Sequence, residues 1–161
     1  MSETPQVVFT PAVATDAGEI LTVQRAAFVQ EAQLYDETRV PPLVETLDEI
    51  RDAIATVRVV VGRIGPRLVA AGRLSVRDRV GHVGRLAVAP DLQGMGIGRA
   101  LLAAVEAAGA GEVDEYRLFT GFRTLGNLHL YRSAGYQDTH TEQITDTFAF
   151  VHLRKWIGGT A

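Results

Sequence analysis

Gly94, Gly96, Gly98 and Arg99 are the residues whose types and spacing most plainly suggest chemistry. They lie in the run Leu86-Ala87-Val88-Ala89-Pro90-Asp91-Leu92-Gln93-Gly94-Met95-Gly96-Ile97-Gly98-Arg99. A β-branched run stops at Pro90, a glycine-rich turn follows, and an apolar helical stripe begins at Ile97 and continues through Leu101, Leu102 and Val105. The first N–H groups of a helix have no intrahelical partner and carry roughly half a unit of positive charge, so they attract phosphates. Glycine lets backbone approach an anion closely and take positive φ. Arg99, in the first helical turn, adds a full charge. The chemistry this spacing predicts is a cradle for a phosphate or diphosphate, with a purely structural turn as the alternative.

Two common phosphate loops do not fit. A Walker A loop requires Gly-Lys followed by Ser or Thr, and the chain's only lysine is Lys155. A dinucleotide fingerprint starting at Gly94 would put Arg99 where a small residue is needed. Asp114 stands at a tolerable distance for a ribose carboxylate, but short connections make the preceding strands antiparallel, the wrong scaffold for that fold.

The elements that must position this turn are legible in outline. Gln6–Thr10 reads as a short strand, and Asp16 with Glu19 as a capping pair before Ile20, Val23, Ala27 and Phe28 at helical spacing. Thr46 and Glu49 form a clearer capping box ahead of Ile50 and Ile54, and the stretch between, Gln30–Glu45 with Pro41 and Pro42, reads as irregular. Val57–Ile64, Leu68–Arg77 and His82–Ala89 read as three strands joined by turns at Gly65-Pro66 and Asp78–Gly81. After the glycine turn and its helix come stop signals at Gly109 and Gly111. A strand over Tyr116–Thr120, a short helix over Thr124–Ser133 ended by Gly135, and strands over Tyr136–Ile144 and Thr147–Trp156 follow. The order β-α-α-β-β-β-α-β-α-β-β implies a mixed α/β fold with helices on the faces of one sheet.

Composition sets the class. A chain of 161 residues, 47% hydrophobic and 22% charged, suits one ordinary domain over residues 1–161 with a buried core. No segment reaches the ~20 apolar residues of a membrane helix, and MSETPQVVF lacks a secretion-signal pattern, so the expectation is a cytoplasmic protein without a membrane partner. A net charge of −3 and the lack of a basic run give nucleic-acid binding no support. Cysteine is absent, which excludes thiol chemistry. His129, His140 and His152 lack metal-ligand spacing, so no metal is expected.

Gln93-Gly94-Met95-Gly96-Ile97-Gly98 resembles the Q/R-x-x-G-x-G/A motif of the GNAT acetyltransferase superfamily, preceded at the right place by a strand end, Leu86-Ala87-Val88, similar to that family's L-x-V. Asn127-Leu128-His129-Leu130-Tyr131-Arg132-Ser133-Ala134-Gly135-Tyr136 is similar to its N-x-x-L-Y-x-x-x-G-F/Y segment, and the element order matches over nearly the whole chain. The resemblance implies a mostly antiparallel sheet of about seven strands flanked by about four helices. It implies acetyl-CoA as co-substrate and a primary amine of a small molecule or peptide as acceptor. It further implies that the amides of Gln93, Gly94, Met95, Gly96, Ile97, Gly98 and Arg99 hold the coenzyme A diphosphate. Leu86, Ala87 and Val88 would pair with the pantetheine arm, with the Val88 N–H on the acetyl carbonyl and Asn127 beside the arm.

Attack on a thioester needs a neutral amine. At pH 7, deprotonating a lysine-like amine of pKa ~10.4 costs roughly 4.6 kcal/mol, whereas an α-amine near 7.8 costs only about 1. Tyr131, protonated at neutral pH, is the candidate acid for the departing thiolate, and the matching tyrosine of the family faces the sulfur. A tyrosine that only fills the core is the alternative. His82 stands where histone acetyltransferases carry glutamate and where serotonin N-acetyltransferase resembles it with histidine, which makes it a candidate base. Strand alternation is expected to put His82, Gly84 and Leu86 on one face, although a strand histidine is more often a packing or surface residue. Gln30–Glu45 offers Glu31, Tyr35, Asp36, Glu37, Arg39 and Glu45 as a wall of the acceptor site, most of them expected to be merely solvated. Phe148 and Phe150 alternate along the last strand and suit either the core or a homodimer face. An N-acyltransferase is the leading expectation, a catalytically idle acyl-CoA sensor the rival, and a tRNA-acylating toxin a third that the charge disfavours.

Overall fold

Seven strands hydrogen-bond into one sheet in the order β1-β2-β3-β4-β5-β7-β6. They are β1 (Val8–Pro11), β2 (Arg58–Ile64), β3 (Arg67–Arg77), β4 (Val80–Val88), β5 (Glu115–Gly121), β6 (Gln137–Gln143) and β7 (Ala149–Trp156). Five helices accompany them: α1 (Ala17–Tyr35), α2 (Pro41–Val44), α3 (Leu47–Thr56), α4 (Ile97–Ala107) and α5 (Leu125–Ser133). The computed structural model describes residues 6–158; the first five residues of the N-terminal run lie outside them. All neighbouring strands are antiparallel except β4 and β5.

The alternation of the strands sorts side chains between two cores. Val59 and Val61 face α1 and α3 together with Ile20, Ile50 and Ala71, whereas Val60 faces α4 with Leu101, Leu102 and Val105. Burying a Leu or Val side chain stabilises by about 1.5–3 kcal/mol, so these two layers fix both helix pairs on the sheet. The β3–β4 hairpin closes through Asp78 (φ 52°) and Arg79 (φ 61°), the paired left-handed residues that a two-residue turn between twisted strands demands. β6 is exposed along its whole length and carries only polar residues, which suits a sheet edge.

Two expectations are corrected. Asp16 does not cap α1 with its side chain: it closes a preceding 3₁₀ turn with helical dihedrals, its carboxylate accepting the Val13 N–H (2.9 Å) and pairing with Arg63 (2.7 Å). The stretch read as irregular is largely helical. α1 runs on to Tyr35 and stops at Asp36 in the left-handed conformation (φ 50°), and Pro41 and Pro42 open the short α2. With the four-residue α2 counted the helices number five, in keeping with the expected sheet of about seven strands flanked by about four helices. The Thr46–Glu49 capping box forms as read, with Glu49 N–H on Thr46 Oγ1 (3.2 Å) and Thr46 N–H on Glu49 Oε1 (3.0 Å).

Lys155 is tied down. Its Nζ donates to Glu106 Oε1 (3.1 Å), Tyr136 Oη donates to Glu106 Oε2 (2.7 Å), and Tyr116 Oη donates to the Glu106 carbonyl, so one glutamate pins the end of α4 to β5 and β7. Glu106→Ala leaves a half-buried cation and a buried phenol without partners and is expected to cost about 2 kcal/mol. Urea unfolding followed by circular dichroism checks this; an unchanged midpoint would show the network contributes nothing.

Candidate active site

The site begins where the sheet splits. β4 and β5 are paired only over Val80–His82 and Glu115–Arg117; beyond His82 they separate. On its other edge β4 stays bound to β3, but with a bulge: Arg73 opposes Gly84 and Ala71 opposes Ala87, so β4 carries an extra residue, and Arg85 takes φ 52°. The bulge reverses the side-chain alternation. Leu86 packs in the α4 core and Ala87 in the α1 core, so Leu86 stands on the opposite face from His82 and Gly84. The expectation that these three share a face is therefore wrong, because alternation holds only in an unbulged strand.

The end of β4 presents a free amide to the split. Ala89 N–H donates to Val69 O (2.8 Å), which makes that pair the hydrogen-bonded one. Val88, opposite Ala70, is then a non-bonded pair, and its N–H and C=O point away from β3 into the gap. The Val88 carbonyl accepts from Gln93 Nε2 (3.3 Å), and the N–H is left facing the opening.

A cavity of about 590 Å³ occupies this opening. Leu86, Ala87 and Val88 line one side, and Gln93, Gly94, Gly96, Gly98 and Arg99 another. Gly94 (φ 79°) and Gly96 (φ 84°) are both left-handed, and Gly96 is the N-cap of α4, which turns the first amides of that helix toward the cavity. The Met95 and Ile97 side chains stay out of the lining, Ile97 being core, so any part they take is through backbone. Arg99 Nη2 donates to Ser133 Oγ (2.5 Å), joining α4 to α5. Asn127 reaches the cavity with Nδ2 on Thr120 Oγ1 (3.3 Å).

Tyr131, from α5, lines the cavity although it is only 5% exposed. Among the described residues no hydrogen bond joins its hydroxyl to the protein. Burial, and to a lesser degree the charge of Glu31, lifts its phenol well above the ordinary value. α1 supplies the remaining wall through Phe28, Glu31 and Leu34. His82 does not line the cavity; it faces the α1 side of β4 between Ser75 and Arg117. Burial, Arg77 and Arg117 hold its imidazole below the ordinary value, so it is neutral at pH 7. Glu45, at the start of α3, is clamped by Arg73 (2.9 Å) and approached by Arg85 (3.7 Å), which holds the α2–α3 corner against the bulge. Burial alone would raise the Glu45 carboxyl, but hydrogen bonds from Arg73 and Gln24 keep it below its usual range.

Thr124 carries no sequence signal beyond a helix start, yet its hydroxyl makes no cap and bridges Tyr35 Oη (2.7 Å) and Glu31 Oε1 (3.3 Å). Tyr35 fits because residue 121 is glycine: a Cβ there would stand 2.1 Å from Tyr35 Oη. Among the described residues no cluster of His, Asp or Glu is placed to hold a metal, and no helix is long and apolar enough to cross a membrane.

A split sheet with a bulged strand, a free amide and a glycine-rich helix start stand beside one cavity, an arrangement of donors that suits an anion. The chain belongs to the GNAT acetyltransferase family: the family model described as "Acetyltransferase (GNAT) domain" matches residues 55–138. No curated protein matches by sequence. Among solved structures, the PaiA N-acetyltransferase of Thermoplasma acidophilum in complex with coenzyme A superposes with a TM-score of 0.80 at 15% identity, covering 94% of this chain and 99% of that one. The yncA protein of Salmonella typhimurium with its cofactor acetyl-CoA gives 0.77 at 13% identity, covering 97% and 96%. The ribosomal-protein-S18-alanine N-acetyltransferase of Escherichia coli gives 0.76 at 17%, covering 97% of each chain. At these identities the likeness is one of fold.

Proposed function

We propose that the protein is an acetyl-CoA-dependent N-acetyltransferase, working as one domain, that passes the acetyl group directly to a primary amine of a small molecule or peptide. The observation that carries this reading is the unpaired Val88 N–H, which opens on the cavity that the glycine turn and Tyr131 also line. The residues fit the co-substrate. Amides from Gln93 to Arg99 would take the diphosphate, and the open edge at Leu86–Val88 would take the amide-bearing pantetheine arm as a further strand, with Asn127 beside it.

Each group then has a task. The Val88 N–H donates where negative charge develops on the carbonyl oxygen, a contribution worth about 2.7–4 kcal/mol when such a donor is well placed. The amine nitrogen bonds to the acetyl carbon as the C–S bond breaks, and Tyr131 gives its proton to the thiolate. No covalent enzyme intermediate is needed, in keeping with a chain that has no cysteine. His82, neutral at pH 7, stands on the α1 face of β4 outside the cavity lining, as the candidate base read from the sequence.

Titration calorimetry with coenzyme A and acetyl-CoA is the direct test. Micromolar or tighter affinity is expected, with competition by the 3′,5′-ADP half of the coenzyme. A protein that binds neither form would end this reading.

A further inference from the structure

Glu31 is a charge-bearing group in the cavity to which the acyl-transfer reading assigns no task. Phe28, Glu31 and Leu34 recur at helical spacing on the cavity side of α1, and Glu31 is half-buried between them and the turn before α5. Its carboxylate ends a chain of hydrogen bonds whose direction can be read. Arg123 N–H donates to Tyr35 Oη (2.9 Å), so the Tyr35 hydroxyl proton is free to donate to Thr124 Oγ1 (2.7 Å). An ionised carboxylate only accepts, so Thr124 must donate to Glu31 Oε1 (3.3 Å). Donors in series thus fix one carboxylate oxygen, and no described side chain holds the other. The aromatic ring of Tyr35 is itself braced edge-on by Phe148 at 4.7 Å and flanked by Phe122. The charged and titratable groups sharing the cavity with Glu31 are Arg123 and Arg99, from the turn before α5 and from α4, and Tyr131 from α5. None of them forms an ion pair with it.

We propose that Glu31 receives the ammonium end of the acceptor and takes its proton, which makes the acceptor a cationic primary amine carried on an apolar body that rests against Phe28 and Leu34. This rests on the acyl-transfer reading above. The protons balance. Glu31 removes one from the ammonium, the neutral nitrogen forms the C–N bond as C–S breaks, and Tyr131 protonates the thiolate. The second amine proton restores the Tyr131 phenol, and Glu31 returns its own to water, giving amide, thiol and one released proton. Burial pushes the Glu31 carboxyl above its ordinary value, against the smaller opposing pull of Thr124, which brings its basicity closer to neutral pH.

The first measurement needs no turnover. Carboxyl NMR of the protein–coenzyme A complex, with Glu31 assigned by its loss in Glu31→Gln, should show a midpoint above the ordinary glutamate value that falls when 2-phenylethylamine is added. Calorimetry should show that amine binding at least 10-fold weaker in Glu31→Gln, with coenzyme A affinity unchanged within about twofold. In turnover with 2-phenylethylamine, spermidine and an alanine-terminated peptide, Glu31→Gln should lose roughly 10²–10³-fold in kcat/KM for the best acceptor and lose its acid limb. Thr124→Val should move that limb to higher pH, because it removes a hydrogen bond to the charged form. Removing a desolvated charge should leave the melting temperature of Glu31→Gln at pH 8 no lower than that of the native chain. An ordinary Glu31 midpoint indifferent to amine, or full activity of Glu31→Gln while His82→Ala carries the loss, overturns the proposal alone. A native chain that binds no coenzyme A overturns the parent reading as well.

Discussion

Gly96→Val is expected to weaken coenzyme A binding by at least 100-fold while the protein still folds. Gly96 is the N-cap of α4 with φ 84° and ψ 1°, a conformation that β-branched residues almost never adopt. Valine must either carry strain of order 1–3 kcal/mol or pull the turn into another path. Either outcome removes the proposed cradle, because Gly96 also lines the cavity where the phosphates are proposed to sit. The rest of α4 is held elsewhere. Ile97, Leu101, Leu102 and Val105 are each at most 1% exposed, so the helix stays on the sheet. The contrast comes from its neighbour. Met95 contributes no side chain to the cavity lining, so Met95→Ala should bind coenzyme A within about threefold of the native chain. Calorimetry on both variants, with thermal unfolding as control, decides the matter. Native-like affinity in Gly96→Val would mean the phosphates sit somewhere else.

What could be read from the sequence divides along a physical line. Val59–Val61, the Thr46–Glu49 box and the Asp78-Arg79 turn announce themselves because local preference and burial agree there. The glycine turn is legible for a related reason: only a left-handed backbone explains Gly94 and Gly96, and that same geometry serves an anion. The far half of α1 is not legible, because Gln30 and Glu31 stand between Phe28 and Leu34 on the side it turns to the cavity and break the apolar stripe a core helix would show. Hydrophobic periodicity then reads it as solvated loop. The bulge at Arg85 is hidden for another reason. Gly84 beside it reads as part of a continuous strand, and the strained residue is an arginine that reaches toward Glu45. One inserted residue was enough to misplace Leu86 relative to His82. Thr124 escapes too, since its nearest partner, Tyr35, is 89 residues away in sequence.

Tyr131→Phe is expected to lower kcat by 10²–10³-fold with coenzyme A affinity and melting temperature unchanged. The exchange removes one oxygen and nothing that the protein uses for stability, since no described group hydrogen-bonds to that hydroxyl. A purely structural tyrosine would behave in the opposite way, shifting the melting temperature and leaving kcat alone. The pH dependence sharpens the test. Burial and the neighbouring Glu31 charge raise the Tyr131 phenol, so it stays protonated beyond pH 10. An acid with a raised pKa is competent at every pH below that value and is lost only as pH climbs through it. The native kcat should therefore show no alkaline decline up to pH 10. The leaving thiol has an unperturbed pKa of about 8.5, and a more acidic thiol departs as thiolate with less need of a proton. The deficit of Tyr131→Phe should accordingly shrink when the donor is an acetyl thioester of a more acidic thiol that still carries the diphosphate arm. If that deficit is the same for both donors, or if kcat in the variant matches the native chain, proton delivery to sulfur does not pass through Tyr131.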